Sequence, residues 1–154
     1  MARFRCGRWR RTFSLLPIQL IPYVQYTVQA VLGALLLGLA ARSQGQKGHQ
    51  GAVVAVDPDS LVTPWLVACW LVLVQRGFQR AHAVLRRWYD LGGIRTPERS
   101  GGAWEEVLGY LLSLGWKPEI LGGPWLRDLV HRYSRTTQQF LWGYPAQQRA
   151  SMRP

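Results

Sequence analysis

The sequence predicts a mainly α-helical domain of about five packed helices, preceded by a basic, extended N-terminal arm. Apolar residues recur at three- and four-residue steps in several segments, and glycine or proline separates these segments. Of the 154 residues, 48% are hydrophobic, including 8 tryptophans, which disfavours a disordered chain. A chain of this length can bury a core as one domain.

The predicted arm comprises residues 1–22, where Pro17 and Pro22 interrupt the apolar run and disfavour a helix. The first helix is expected over Tyr23 to Ala41, because valines and leucines follow a helical period while glutamines supply the polar side. The polar, glycine-rich stretch 42–51 is expected to be a flexible loop. The short piece that follows it, "AVVAV", favours a β-strand.

Two helices joined by a tight turn are expected in the middle of the chain. The first begins near Pro64, because proline is well tolerated in a first helical turn. The second covers Phe78 to Leu91, and the pair Arg76-Gly77 supplies the turn between them. On a helical projection, the apolar side chains of this segment cluster on one side, and Arg76, Arg80 and Arg87 cluster on the other. This arrangement is compatible with a helix-turn-helix.

Two further helices complete the predicted domain. One covers Ala103 to Leu114, where an apolar stripe precedes a terminating glycine. The other begins at Pro124 and extends as far as Trp142. The α-helical domain is therefore expected over residues 23–144, followed by a disordered tail at 145–154.

The charge of the chain is strongly positive and unevenly distributed. The net charge is +11 and the sequence pI is about 10.8, which favours polyanions such as DNA, RNA or an acidic membrane surface as partners. Every acidic residue lies after Val56, so the N-terminal part of the chain is the most electropositive.

The segment C-x-x-x-x-x-T-F-S-L-L-P, which begins at Cys6, continues through "LIPYVQYTV" to "VDPDSLVTPWLVACWL" and "RAHAVLRRWYDL". These stretches, spread over Arg5 to Tyr144, resemble a family of uncharacterised bacterial transposon-associated proteins that carry a zinc ribbon. The family pattern is C-x-x-C-x-x-T-F-S-L-L-P, and Trp9 stands where its second cysteine would be. A closed zinc site needs four ligands, and Cys6 is a lone remnant. The resemblance thus implies an N-terminally truncated relative that has lost its zinc site, and we expect no metal or other cofactor.

The candidate binding residues are basic, with one aromatic side chain among them. Arginine suits bidentate phosphate contacts, and an exposed tryptophan in a basic segment suits base stacking. The predicted nucleic-acid-binding residues are Arg3, Arg5, Arg8, Trp9, Arg10, Arg11, Arg76, Arg80 and Arg87. Trp65 and Cys69 fall in an apolar helix and are expected in the core, and His82 is expected to be a helix-packing residue. The aspartates of "VDPDS" fit a proline turn and a helix cap, so no catalytic constellation is predicted.

The expected function is that of a non-enzymatic, cytoplasmic DNA-binding accessory or remnant protein of a mobile element, with a transposase as a further partner. Two alternatives stay open. One is a small basic membrane-associated protein, because Val28 to Ala41 and Leu61 to Val74 are apolar runs of about fourteen residues, although spanning a bilayer takes roughly twenty. The other is a decayed reading frame without selected function.

Overall fold

The computed structural model describes residues 2–5, 12–15, 26–55, 62–94, 102–116 and 124–142, with the backbone alone for 2–5, 12–15 and 54–55. Five helices account for most of these residues, which confirms a mainly α-helical fold. The helices are α1 (Val28–Ser43), α2 (Gly48–Ala55), α3 (Pro64–Leu85), α4 (Ala103–Ser113) and α5 (Pro124–Thr137).

The described part of the N-terminal arm is extended, as expected, and is also paired. Strands β1 (Ala2–Arg5) and β2 (Thr12–Leu15) run antiparallel, with Ala2 opposite Leu15 and Arg5 opposite Thr12. Extended backbone satisfies its hydrogen-bonding groups by such pairing, whereas the prediction gave only the extended conformation of the arm.

Helix α1 begins at a side-chain cap and ends in a glycine turn. The Oγ1 atom of Thr27 accepts a hydrogen bond from the backbone N–H of Ala30 at 3.1 Å. Within α1, Val31 and Leu35 are fully buried, as the helical period predicts. Gly45 adopts a φ of 78° in the turn to α2, a conformation that costs glycine little.

The second helix replaces two predicted features. Residues 48–51 were expected to belong to a loop, and residues 52–56 to a strand. Both expectations are wrong for the segment that forms α2. A Cβ atom at Gly51 would overlap Ala41 of α1, and Ala52 is fully buried, so small side chains allow the two helices to pack closely. Tertiary packing thereby overrides the weak helix propensity of glycine and valine.

Helix α3 is continuous where a turn was expected, so the helix-turn-helix predicted over Pro64 to Leu91 is wrong. The Oγ1 atom of Thr63 caps its first turn by accepting from Leu66 N–H at 3.2 Å, and Pro64 opens it as predicted. Gly77 does not interrupt the helix. It is buried, and a Cβ atom there would overlap the Trp142 ring. Glycine at this position serves a close approach between side chain and backbone.

One apolar core joins the five helices. Helix α4 lies against α3, where the Phe78 and Tyr110 rings stack with centroids 4.9 Å apart. Helix α5 ends at Thr137, earlier than expected, and Gln138 takes a left-handed φ of 56°. The chain then returns to the core, where Trp142 is fully buried against Phe78. These contacts bury one side of α3 and leave its opposite side in solvent.

Candidate nucleic-acid interface

Three of the predicted arginines lie on the outward side of α3 and its C-terminal turn. Arg76 and Arg80 are exposed within the helix, and Arg87 is exposed in the turn that follows the C-cap residue Arg86. Within the described residues, the ion pairs are Arg42 with Glu105, at 2.7 Å, and Arg127 with Asp128, at 3.8 Å. The three arginines therefore have no carboxylate partner in that part of the chain.

The arginines continue a line of exposed residues that begins at the start of the helix. At about 100° per residue, positions 65, 69, 72, 76 and 80 fall within an arc of roughly 80°. We call this surface the α3 stripe; its members are Trp65, Cys69, Val72, Arg76 and Arg80. The buried residues of α3 lie on the opposite side of the helix. The stripe is apolar in its N-terminal half and basic in its C-terminal half.

Two members of the stripe correct the sequence-based interpretation. Trp65 was expected in the core, but it is 74% exposed, and Cys69 is exposed as well. Both were misplaced because a break was expected near Gly77, so the two halves of α3 were projected as separate helices. A projection of one helix through residues 64–87 puts Trp65 on the same side as Arg76 and Arg80. That projection would have indicated from the sequence that Trp65 is exposed.

The side of α3 that faces α4 holds a buried carboxyl group. Glu106 is 3% exposed. Its Oε1 and Oε2 atoms accept hydrogen bonds from Gln79 Nε2 at 2.9 and 3.1 Å, and Oε2 also accepts one from Gln75 Nε2. A carboxylate taken out of water is costly unless its oxygens are hydrogen-bonded, and two carboxamide donors supply these bonds. The helical period of Ala103 to Leu114 did not predict that this carboxyl group is buried.

A second polar contact continues the same interface. The hydroxyl group of Tyr110 lies 2.8 Å from Nδ1 of His82, which is half-buried and lines a surface groove beside Arg86. Burial, with a further contribution from the charge of Glu106, raises the pKa of Tyr110 to about 12. The histidine is a packing residue, as expected, and it also holds a hydrogen bond between α3 and α4.

This polar interface determines which residues of α3 face outward. Gln75 and Gln79 are one helical turn apart, so their common acceptor, Glu106, fixes the rotation of α3 relative to α4. A one-residue slip would turn each side chain by about 100° and would move both glutamines away from Glu106. The position of Arg76 and Arg80 in solvent is thus tied to the burial of Glu106.

Two other arginines are engaged within the protein. Arg42 of α1 donates from Nη2 to Oε1 of Glu105 at 2.7 Å. A hydrogen bond from the backbone of Glu105 itself, together with Arg42, holds the pKa of the Glu105 carboxyl below its ordinary value. The guanidinium carbon of Arg132 lies 4.3 Å from the centre of the Trp88 ring, in a cation–π contact.

The predicted residues of the arm are only partly described. Arg3 and Arg5 belong to β1, with Arg3 opposite Ser14 in the register. The remaining predicted residues of the arm, and the remnant ligand, lie outside the described residues; they are Cys6, Arg8, Trp9, Arg10 and Arg11.

Neither a cluster of metal ligands nor a membrane-spanning helix is found in the described ranges. No three histidine, cysteine or acidic side chains in them stand close enough together to hold a metal ion. None of the helices found there combines the length and the apolar character needed to cross a bilayer.

Compared with models of protein families, with curated proteins and with solved structures, the chain has no match.

Proposed function

We propose that the protein is a non-enzymatic nucleic-acid-binding protein that contacts backbone phosphates through arginines on the outward side of α3. The observation that carries this proposal is the exposure of Arg76, Arg80 and Arg87 on one side of the fold, outside both ion pairs of the described residues. The net charge of +11 adds a long-range attraction for polyanions.

The spacing of the arginines suits a ligand with regularly placed negative charges. Arg76 and Arg80 are one turn apart, about 6 Å along the helix axis, and their like charges repel each other at this spacing. A phosphate backbone removes that repulsion by supplying counter-charges to both guanidinium groups, each of which can bind a phosphate through two hydrogen bonds. Glu105 and Glu106 leave the arginines free, because Arg42, Gln75 and Gln79 bind these two acids.

The wider biological role is proposed from the resemblance of the Thr12 to Pro17 segment and its continuation to transposon-associated proteins. It is that of an accessory or remnant protein of a mobile element, with DNA and a transposase as partners. A second candidate, binding to an anionic membrane surface, is favoured by the exposed Trp65 and Val72 next to the arginines.

The salt dependence of binding tests the proposal. For the whole chain and duplex DNA, log K should fall linearly with log salt concentration, and each lost phosphate contact should reduce the slope by about 0.9. The double variant Arg76→Gln/Arg80→Gln should therefore reduce the slope by about 1.8. A matched double variant, Lys47→Gln/Arg127→Gln, removes the same charge from exposed positions outside α3 and should change the slope less.

Fluorescence anisotropy with labelled DNA at increasing salt provides the measurement. Binding that does not weaken with salt contradicts phosphate recognition. Equal changes of slope in the two double variants would mean that net charge, and not the outward side of α3, accounts for the binding.

A further inference from the structure

We propose that the α3 stripe prefers single-stranded to duplex nucleic acid, with Trp65 stacking on an unpaired base while Arg76 and Arg80 bind the phosphates that follow. This inference rests on the proposed function and specifies the form of nucleic acid. It uses the apolar half of the stripe, which phosphate binding by arginines leaves unexplained.

The stripe presents an aromatic ring and positive charges in one line. Trp65 lies about 16 Å along the helix axis from Arg76 and about 22 Å from Arg80. At 74% exposure its ring is largely free, whereas the other described tryptophans are buried or half-buried. Proteins that bind single strands combine these two elements, a positively charged path for the backbone and aromatic rings on which bases stack.

The N-terminal half of the stripe offers few contacts to a duplex. In a duplex the faces of the bases are covered by neighbouring bases, so a protein recognises the sequence through hydrogen bonds to base edges or through methyl contacts in a groove. Trp65, Cys69 and Val72 offer one indole N–H and one weak thiol donor for such edges. An unpaired base instead exposes a flat apolar face, which matches an exposed indole ring.

A bilayer surface also fits the stripe less well than a single strand. A helix that lies in a membrane interface buries a broad apolar face in the lipid. The broad apolar face of α3 is already buried in the protein core, for example at Val67, Val74 and Phe78. What remains outward is a narrow line of three apolar side chains, followed by arginines along the same line.

Affinity measurements on both forms of DNA test the inference. With the whole chain, a labelled oligothymidylate should bind more tightly than a duplex of equal length at the same salt concentration. Trp65→Ala should weaken binding of the single strand by about 5- to 150-fold and leave duplex binding nearly unchanged. Trp65→Phe should retain most of the affinity. Leu112→Ala, which truncates another exposed apolar side chain, on α4, serves as the matched control.

The exposed thiol of Cys69 offers a direct footprint of the ligand. It lies one turn from Trp65 on the stripe, and the other cysteine of the chain, Cys6, can be removed as Cys6→Ser. Alkylation of Cys69 by a maleimide should slow when the oligothymidylate is present. An unchanged rate at saturating oligonucleotide would overturn the placement of the strand along the stripe.

The outcomes separate failure of the inference from failure of the proposed function. Equal or tighter duplex binding, with no effect of Trp65→Ala on the single strand, overturns the inference and leaves nucleic-acid binding standing. Absence of salt-dependent binding to either form overturns both. Binding to phosphatidylserine vesicles without binding to oligonucleotides also overturns both and assigns the stripe to a membrane surface.

Discussion

On the side of α3 that faces α4, Gln75 and Gln79 donate hydrogen bonds to the buried carboxyl group of Glu106. On its outward side, Arg76 and Arg80 stand in solvent without a carboxylate partner among the described residues. Each arginine directly follows one of the glutamines in sequence. A rotation of about 100° per residue is enough to move a side chain from hydrogen-bonding distance of Glu106 to the solvent-facing side of the helix.

The comparison shows that position, more than residue type, determines what each charged group contributes. Glu106 needs its amide donors because a carboxylate in a low-dielectric interior has no water to solvate it. Arg76 and Arg80 keep their hydration, so they need no partner and stay available to an external anion. Two neighbouring residues of α4 show the same contrast, since Glu105 is exposed and Glu106 is buried.

The largest effect is expected from removing the buried carboxyl group. Glu106→Ala should lower the free energy of unfolding by about 2 to 4 kcal/mol, because it removes the common acceptor of Gln75 and Gln79 and leaves a cavity at a buried position. Glu105→Ala removes an exposed partner of Arg42 and should cost less than about 1 kcal/mol. Urea denaturation measures both. Equal losses of stability in the two variants would contradict the proposed difference between the buried glutamate and the exposed one.

A smaller effect is expected from alkaline pH acting on Tyr110. The pKa of its hydroxyl is 10.0 without the protein environment and about 12 in the fold. Between these values the folded state keeps the proton that the unfolded state has lost, so stability falls as pH rises. The loss should reach about 2 to 3 kcal/mol near pH 12.

The variant Tyr110→Phe isolates this contribution from those of other titrating groups. The difference in unfolding free energy between the natural protein and this variant should be constant below about pH 10 and should shrink above it. A difference independent of pH would mean that the hydroxyl group is solvated in the folded state.

The smallest effect is expected on the outward side. Arg76→Gln should raise the free energy of unfolding by about 0.2 to 0.5 kcal/mol, because it relieves the repulsion with Arg80 one turn away. Thermal or urea denaturation at low ionic strength resolves such a change best, since salt screens the repulsion. A loss of more than 1 kcal/mol would show that Arg76 stabilises the fold and would weaken its assignment to ligand binding.

The number of helices was predicted correctly although two of the predictions behind it were wrong. One expected break, at Gly77, does not exist, and one unexpected helix, α2, makes up the count. Glycine has the same weak helix propensity at both places. Packing decides the result: Gly77 admits the Trp142 ring next to α3, and Gly51 admits α1 next to α2.

The exposed arginines of α3 were predictable, and the tryptophan on their line was not predicted. Arg76, Arg80 and Arg87 could be placed outward because each lies opposite apolar residues at helical spacing, and water is the favourable environment for a charge. Trp65 lies in the first turn of α3, and only a projection of the whole helix places it on the same side as Arg76 and Arg80. Its exposure follows from that position, opposite the buried residues of α3.

The amino-acid sequence alone determined the helical class, the apolar side of α5 and of the C-terminal half of α3, and the excess of positive charge, since these follow from periodicity and composition. Tertiary structure decided whether α3 is one helix or two, that Gly48 begins a helix, and that Glu106 of two adjacent acids is the buried one. The physical reason is that these outcomes depend on contacts between residues distant in sequence. A close approach at a glycine, or a pair of amide donors at a carboxylate, exists only after the helices have packed.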